Sequence, residues 1–222
     1  MRGRFITFEG GEGTGKSTQA RLLAERLRGQ GHAVVLTREP GGTSGAEAVR
    51  ALLVTGEIDR WSPWAEACLV NAARADHVER IIRPALARGE WVICDRFVDS
   101  TRAYQGAGKG LDDAALCALH AQVTGDLWPD LTLVLTLSPE QGLARAGARG
   151  ETDARGATDP RGATDARGAA EARFEGHDAG FHTRVAAFFG AVPACDPRRC
   201  HAVAGDGSVE TIAATVSALV GA

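Results

Sequence analysis

The chain lacks any long apolar run: none approaches the roughly 20 residues a membrane span requires, so no membrane partner is expected. It also lacks an excess of charge of either sign. With 25 lysines and arginines against 28 acids, the formal net charge is -3, which argues against a protein held to nucleic acid by phosphate neutralisation. Its arginines are therefore expected to act as local tools. Cysteine is sparse and odd in number: Cys68, Cys94, Cys117, Cys195 and Cys200 are scattered along the chain, which excludes a disulfide framework and suits a reducing cytoplasm. Cys195, Cys200 and His201 lack a fourth ligand at the usual spacing and are not read as a zinc site. The single asparagine, Asn71, is followed by alanine, so the N-K-x-D signature of a guanine-reading switch is missing. Met1 leads almost directly into the first expected strand, leaving no room for a signal peptide, and a cytoplasmic location is expected.

What is present is a balanced globular composition, 44% hydrophobic and 24% charged over 222 residues, most simply one domain spanning 1–222. Its most informative stretch is Gly10-Gly11-Glu12-Gly13-Thr14-Gly15-Lys16-Ser17, which fits G-x-x-x-x-G-K-[ST] at every fixed position. Phe5–Phe8 ahead of it reads as a buried strand, and Thr18–Arg28 behind it as an amphipathic helix. Strand, glycine loop and helix together make a polyphosphate cradle, because closely folded backbone N–H groups and the positive end of the helix converge on the anion. Gly10 to Thr18 are thus the expected nucleotide-binding residues. Lys16 is expected to reach the β and γ phosphates of ATP, and Ser17 to offer its hydroxyl to Mg²⁺.

The remainder alternates strand and helix, as in an α/β fold with a P-loop NTPase-type parallel sheet of about five strands flanked by helices. His32–Thr37 reads as an inner parallel strand. The loop after it, Arg38-Glu39-Pro40-Gly41-Gly42-Thr43, lies where open parallel sheets bind ligands, and Arg38 is expected either to meet an anion there or to pair with Glu39. Trp64–Leu86 reads as one helix opening after Ser62-Pro63, with Leu69, Ala73, His77 and Ile81 as a packing stripe and Asn71 and Arg74 on another face, projecting into a cleft. The strand from Trp91 ends in Asp95-Arg96, an acid and a guanidinium at a strand tip, where a Mg²⁺-organising carboxylate is expected. Asp99–Gly106 opens with N-cap chemistry and reads as a short helix whose Thr101, Tyr104 and Gln105 could line a base or sugar. Helices from about Ala46 to Val54, over Asp112–Val123, from Pro139 to about Ala146, around Phe181–Phe189 and over Ser208–Val220, and strands over Leu131–Leu137 and His201–Ala204, complete the expected order. Between them, Thr152–Ala169 is three tandem hexapeptides, TDARGA, TDPRGA and TDARGA, without a large apolar residue. Such a segment cannot bury itself. It is expected as a mobile lid of about 147–173 flanked by Arg149 and Arg173, either of which could close on the transferred phosphate.

Phe8-Glu9-Gly10, Thr37-Arg38-Glu39-Pro40-Gly41-Gly42-Thr43, Ala72-Ala73-Arg74, Asp95-Arg96, Ser100-Thr101-Arg102-Ala103-Tyr104-Gln105-Gly106 and Pro129-Asp130-Leu131-Thr132 together resemble the bacterial thymidylate kinases, nearly end to end. The resemblance implies a homodimeric enzyme transferring the γ-phosphate of ATP to dTMP. It implies that Arg38, Arg74 and Arg96 hold dTMP, that Thr101 and Gln105 meet thymine or sugar, that Tyr104 crowds the 2′ position, and that Glu12 lies near the acceptor deoxyribose. Because position 12 is not arginine, it implies the class whose catalytic arginine comes from the lid, Arg149 or Arg173, acting with Lys16 and Arg96. The chain departs from the family pattern at Val70, where a phenylalanine usually stacks on thymine, and at Leu135-Thr136, where Leu-Asp is usual. The alternatives are another P-loop nucleotide or metabolite kinase, and a non-catalytic nucleotide-binding module.

Overall fold

The computed structural model describes residues 2–145, 173, 174 and 176–222; the hexapeptide repeats and Arg149 lie outside them. Five parallel strands, β1 (Phe5–Glu9), β2 (Val34–Arg38), β3 (Trp91–Asp95), β4 (Leu131–Thr136) and β5 (Cys200–Ala204), form one sheet in the order β2-β3-β1-β4-β5. β1 is central and every one of its residues is buried, as expected of a strand covered on both faces. Its alternation divides the core. Ile6 and Phe8 pack with Leu23 and Leu27 of α1 (Lys16–Gly29) and Val216 of the closing helix (Val209–Val220), whereas Phe5 packs with Val92, Phe97 and Ile82 on the opposite side.

β2 is an edge strand, not the inner strand its β-branched run suggested. The chain leaves β1, crosses over through α1 to the edge, and later returns to lay β3 in the gap between them. One side of β2 therefore stays open, and Leu36 remains exposed. The long helix expected over 64–86 is divided into α3 (Pro63–His77), a π-helical turn (Val78–Ile82) and α4 (Arg83–Ala87). Pro84 has no N–H to return to the preceding turn, and a widened turn accommodates the loss. Of the expected stripe Ala73 and His77 are buried but Leu69 and Ile81 only half-buried, and Glu66, Val70, Asn71 and Arg74 of α3 are buried as well.

Between α2 (Ser44–Val54), which packs on α3, and β4 lie α5 (Val98–Thr101), continued π-helically over Arg102–Gly108, and α6 (Asp113–Thr124) capped by Asp112. Asp99, expected as a cap, is instead inside α5 and buried. Residues 139–145 are helical, and α7 (Ala179–Cys195), capped by Asp178, docks Phe181, Val185 and Phe189 against Tyr104 and Val134.

Candidate active site

The carboxyl ends of β1, β2 and β3 carry the chemistry to one edge of the sheet. After β1 the chain turns through Gly10, and Gly13 takes φ +67° with no room for a side chain: a Cβ there would lie 1.9 Å from the carbonyl oxygen of Gly142 in the 139–145 segment. No side chain caps α1, so its first N–H groups face the loop. Lys16 curls back over that loop, donating from Nζ to the Gly11 carbonyl at 2.6 Å and to Thr14 Oγ1 at 3.3 Å. Ser17 donates to Asp95 Oδ2 at the tip of β3. The other oxygen of that carboxylate, Oδ1, is buried with no hydrogen-bond partner among the described residues, and Thr18 follows on the first turn of α1.

Beside the loop opens a cleft of about 520 Å³. Glu12, Ser17, Arg38, Val70, Arg74, Asp95, Arg96, Thr101, Tyr104 and Gln105 all line it, so residues from five separate stretches meet in one cleft. Arg96 sits there in a left-handed conformation, φ +69°, which costs a non-glycine residue energy and is characteristic of functional sites. Its guanidinium lies over the Tyr104 ring and donates to Glu12 Oε1 at 2.9 Å, and the Tyr104 hydroxyl donates to the same oxygen at 2.7 Å. Burial pushes the Glu12 carboxyl up, but Arg96, Lys16 and Tyr104 outweigh it and hold the group down at about 2. Burial, with the Glu12 charge, raises the Tyr104 phenol well above its ordinary value.

Arg38 does not pair with Glu39. It donates to Glu47 Oε2 at 3.1 Å and to the Pro40 carbonyl at 3.3 Å, leaving its guanidinium part-exposed on the cleft rim. Glu39, buried, accepts from Arg74 Nε at 2.8 Å and bonds His77 Nδ1 at 3.0 Å, and His77 Nε2 meets Thr37 Oγ1 at 2.8 Å. Burial raises the Glu39 carboxyl, but Arg74 and His77 more than reverse this and lower it. Arg74 is only 1% exposed and also donates to Thr101 Oγ1 at 2.8 Å. Val70 packs with Leu53 and Val54, giving the cleft an aliphatic floor. Thr136 lies apart, lining a small cavity of about 40 Å³ behind the loop.

Arg173 is not beside the phosphate loop. Its guanidinium donates to the carbonyls of Leu53, Glu57 and Ile58, each at 2.9 Å, and pairs with Glu66 at 2.6 Å. It thus holds the chain after α2, on the Val70 side of the cleft. Three further acids contribute that the sequence reading did not place in the site. Glu39 is one and Glu66 another. Glu9 accepts from Phe97 N at 2.7 Å and Ser100 Oγ at 2.6 Å, bracing the backbone after Arg96, and burial together with Asp99 raises it to about 7. The signal for Glu66 was present, since it precedes Val70 and Arg74 at intervals of four along one helix face.

A phosphate loop after the central strand of a parallel sheet, with an arginine-lined cleft facing it and an acid at the neighbouring strand tip, defines the class of P-loop kinases that phosphorylate small molecules. Residues 8–188 match the thymidylate kinase family. The chain is 49% identical to thymidylate kinase of Caulobacter vibrioides over 99% of its own length and 96% of that protein, and 47% identical to thymidylate kinase of Rhizorhabdus wittichii over 96% and 95%. Among solved structures, thymidylate kinase from Ehrlichia chaffeensis aligns with a TM-score of 0.73 at 31% identity, covering 100% of both chains. The chain belongs to the thymidylate kinase family.

Proposed function

We propose that this edge of the sheet holds ATP and dTMP end to end, with Lys16 and the backbone of Gly10 to Thr18 on the donor phosphates and Arg38, Arg74 and Arg96 on the acceptor side. The reaction is transfer of the γ-phosphate of ATP to dTMP, giving dTDP and ADP, a step of nucleotide biosynthesis. The other kinase and non-catalytic alternatives are not favoured, because the thymidylate kinase relatives match over nearly the whole chain. The observation that carries the residue assignment is the convergence of Glu12, Arg38, Arg74, Arg96, Thr101, Tyr104 and Gln105 on one cleft beside the loop lysine.

The acceptor needs no general base. A phosphate monoester with a second pKa of about 6 is already anionic at neutral pH, so positioning and charge neutralisation carry the catalysis. Arg96, anchored to Glu12, keeps a cation between loop and cleft without rearrangement. The hydroxyl of Tyr104, also fixed on Glu12, fills the space where a ribose 2′-OH would lie. Ser17 and Asp95 suit Mg²⁺, since Asp95 Oδ1 is a buried acceptor without a partner and Mg²⁺ is ordinarily held by one or two protein oxygens plus substrate phosphates. Held by Ser17 and Asp95, such an ion would supply positive charge to offset that of the β and γ phosphates. The catalytic lid arginine of this reading is Arg149, outside the described residues, because Arg173 is committed to Glu66 and the 53–58 carbonyls. The reading places the enzyme in the cytoplasm as a homodimer, in keeping with its five free cysteines.

A coupled ADP-release assay across dTMP, dUMP, dGMP and shikimate tests this reading, with dTMP expected as the preferred acceptor. Lys16→Ala is expected to lose nearly all turnover while keeping its far-UV circular dichroism. A variant retaining most of its kcat would refute the role of the loop.

A further inference from the structure

Glu66 sits on the inward face of α3, 0% exposed, beneath the wall of the cleft that Gln105 and Arg74 line. Three donors converge on its carboxylate: Gln105 Nε2 at 2.8 Å, Lys109 Nζ at 2.9 Å and Arg173 at 2.6 Å. Burial raises this carboxyl, but its three donors overcome that and lower it, so the group is an ionised, acceptor-only carboxylate at neutral pH. The consequence falls on Gln105. A primary amide offers two donors on one side and an acceptor on the other, and by itself can present either. Against an ionised carboxylate only the NH₂ side can face inward. Oε1 is then the group left for the cleft, and it accepts no hydrogen bond among the described residues.

We infer that Glu66 is a positioning residue for base selection: it holds the Gln105 amide with its oxygen toward the nucleobase, so that the cleft accepts a pyrimidine with a protonated ring N3 and rejects one whose N3 is an acceptor. Arg74 on the same wall supplies only donors. Donor and acceptor side by side complement the carbonyl and N3–H of thymine or uracil, and oppose the amino group and bare N3 of cytosine. Val70 makes this more consequential here than in a cleft with an aromatic floor, because an aliphatic contact cannot distinguish one pyrimidine ring from another by polarity. The inference rests on dTMP being the acceptor, which wild-type turnover tests separately.

The experiment is kcat/KM for dTMP, dUMP and dCMP in the wild type and in Glu66→Gln, a near-isosteric change that lets the amide of residue 105 turn. The dTMP-to-dCMP ratio is expected to fall roughly tenfold or more, as befits releasing one buried acceptor-to-acceptor clash. The dTMP-to-dUMP ratio is expected to stay within about twofold, because both bases carry N3–H; general loosening of the cleft would change both ratios. An unchanged dTMP-to-dCMP ratio, or equal changes in both ratios, overturns the proposal. Should Glu66→Gln fail to fold, Gln105→Leu serves: collapse of the dTMP-to-dCMP ratio supports base reading by the amide, and a retained ratio refutes it.

Discussion

Glu12 receives a guanidinium, a phenol and the field of Lys16 on one carboxylate, and this concentration of partners has a thermodynamic price in acid. Its folded-state pKa, about 2, lies below the ordinary 4.5, so the folded chain binds fewer protons than the unfolded one in between. The stability from this group is fully present above pH 4.5 and is lost as pH falls toward 2, an effect of about 3 kcal/mol. Urea unfolding of Glu12→Gln is therefore expected to show a shallower decline across that window than the wild type. Glu9, only three residues earlier, has the opposite sign. Its raised folded pKa, about 7, means that its contribution weakens as pH rises from 4.5 through 7. Two glutamates flanking one glycine pair thus titrate apart because one faces cations and the other is buried beside Asp99.

The segment formed by α5 and its π-helical continuation is the element that positions Thr101, Tyr104 and Gln105, and it is anchored from below. Asp99, buried in α5, accepts from Arg199 at 2.6 and 3.1 Å and from Arg102 at 3.0 Å; Arg199 also donates to Thr132 Oγ1 at 2.7 Å, and Thr132 bonds Thr7 across the strands. Arg199 lies just before β5, beyond the 8–188 span shared with the family. Arg199→Leu removes the donor to Asp99 Oδ2 and to Thr132 Oγ1 while Arg102 still pairs with Asp99 Oδ1, so it is expected to cost roughly 2 kcal/mol in urea unfolding. Because the anchored element bears the cleft wall, the KM for dTMP is expected to rise more than kcat falls. Loss of stability below about 0.5 kcal/mol, the ordinary range for surface changes, would contradict this anchoring role.

On the scale of the whole molecule, α3 turns its polar buried face to the cleft and leaves Trp64, Cys68 and Ala72, one turn apart, exposed on the other, with Trp64 44% exposed. An exposed apolar stripe of this kind suits a second copy of the chain. Sedimentation equilibrium is expected to give twice the 23.2 kDa of one chain, and Trp64→Arg to shift it toward the single-chain mass. The sheet itself, the phosphate loop and the tips of β1, β2 and β3 were legible in the amino acids, since glycine spacing, β-branched runs and helix starts at Ser62, Asp112 and Ser208 are local requirements of the backbone. The edge position of β2, the inward face of α3 and the buried place of Asp99 were not. By itself the sequence determined which residues stand at the carboxyl edge, because each belongs to a short motif whose geometry is settled within a few neighbours. Only the tertiary structure decided how the charges pair: Arg38 with Glu47, Arg74 with Glu39, Arg173 with Glu66. Such pairings depend on crossovers that bring distant segments into register, and no local pattern of hydrophobic and polar residues encodes which carboxylate a buried guanidinium will meet.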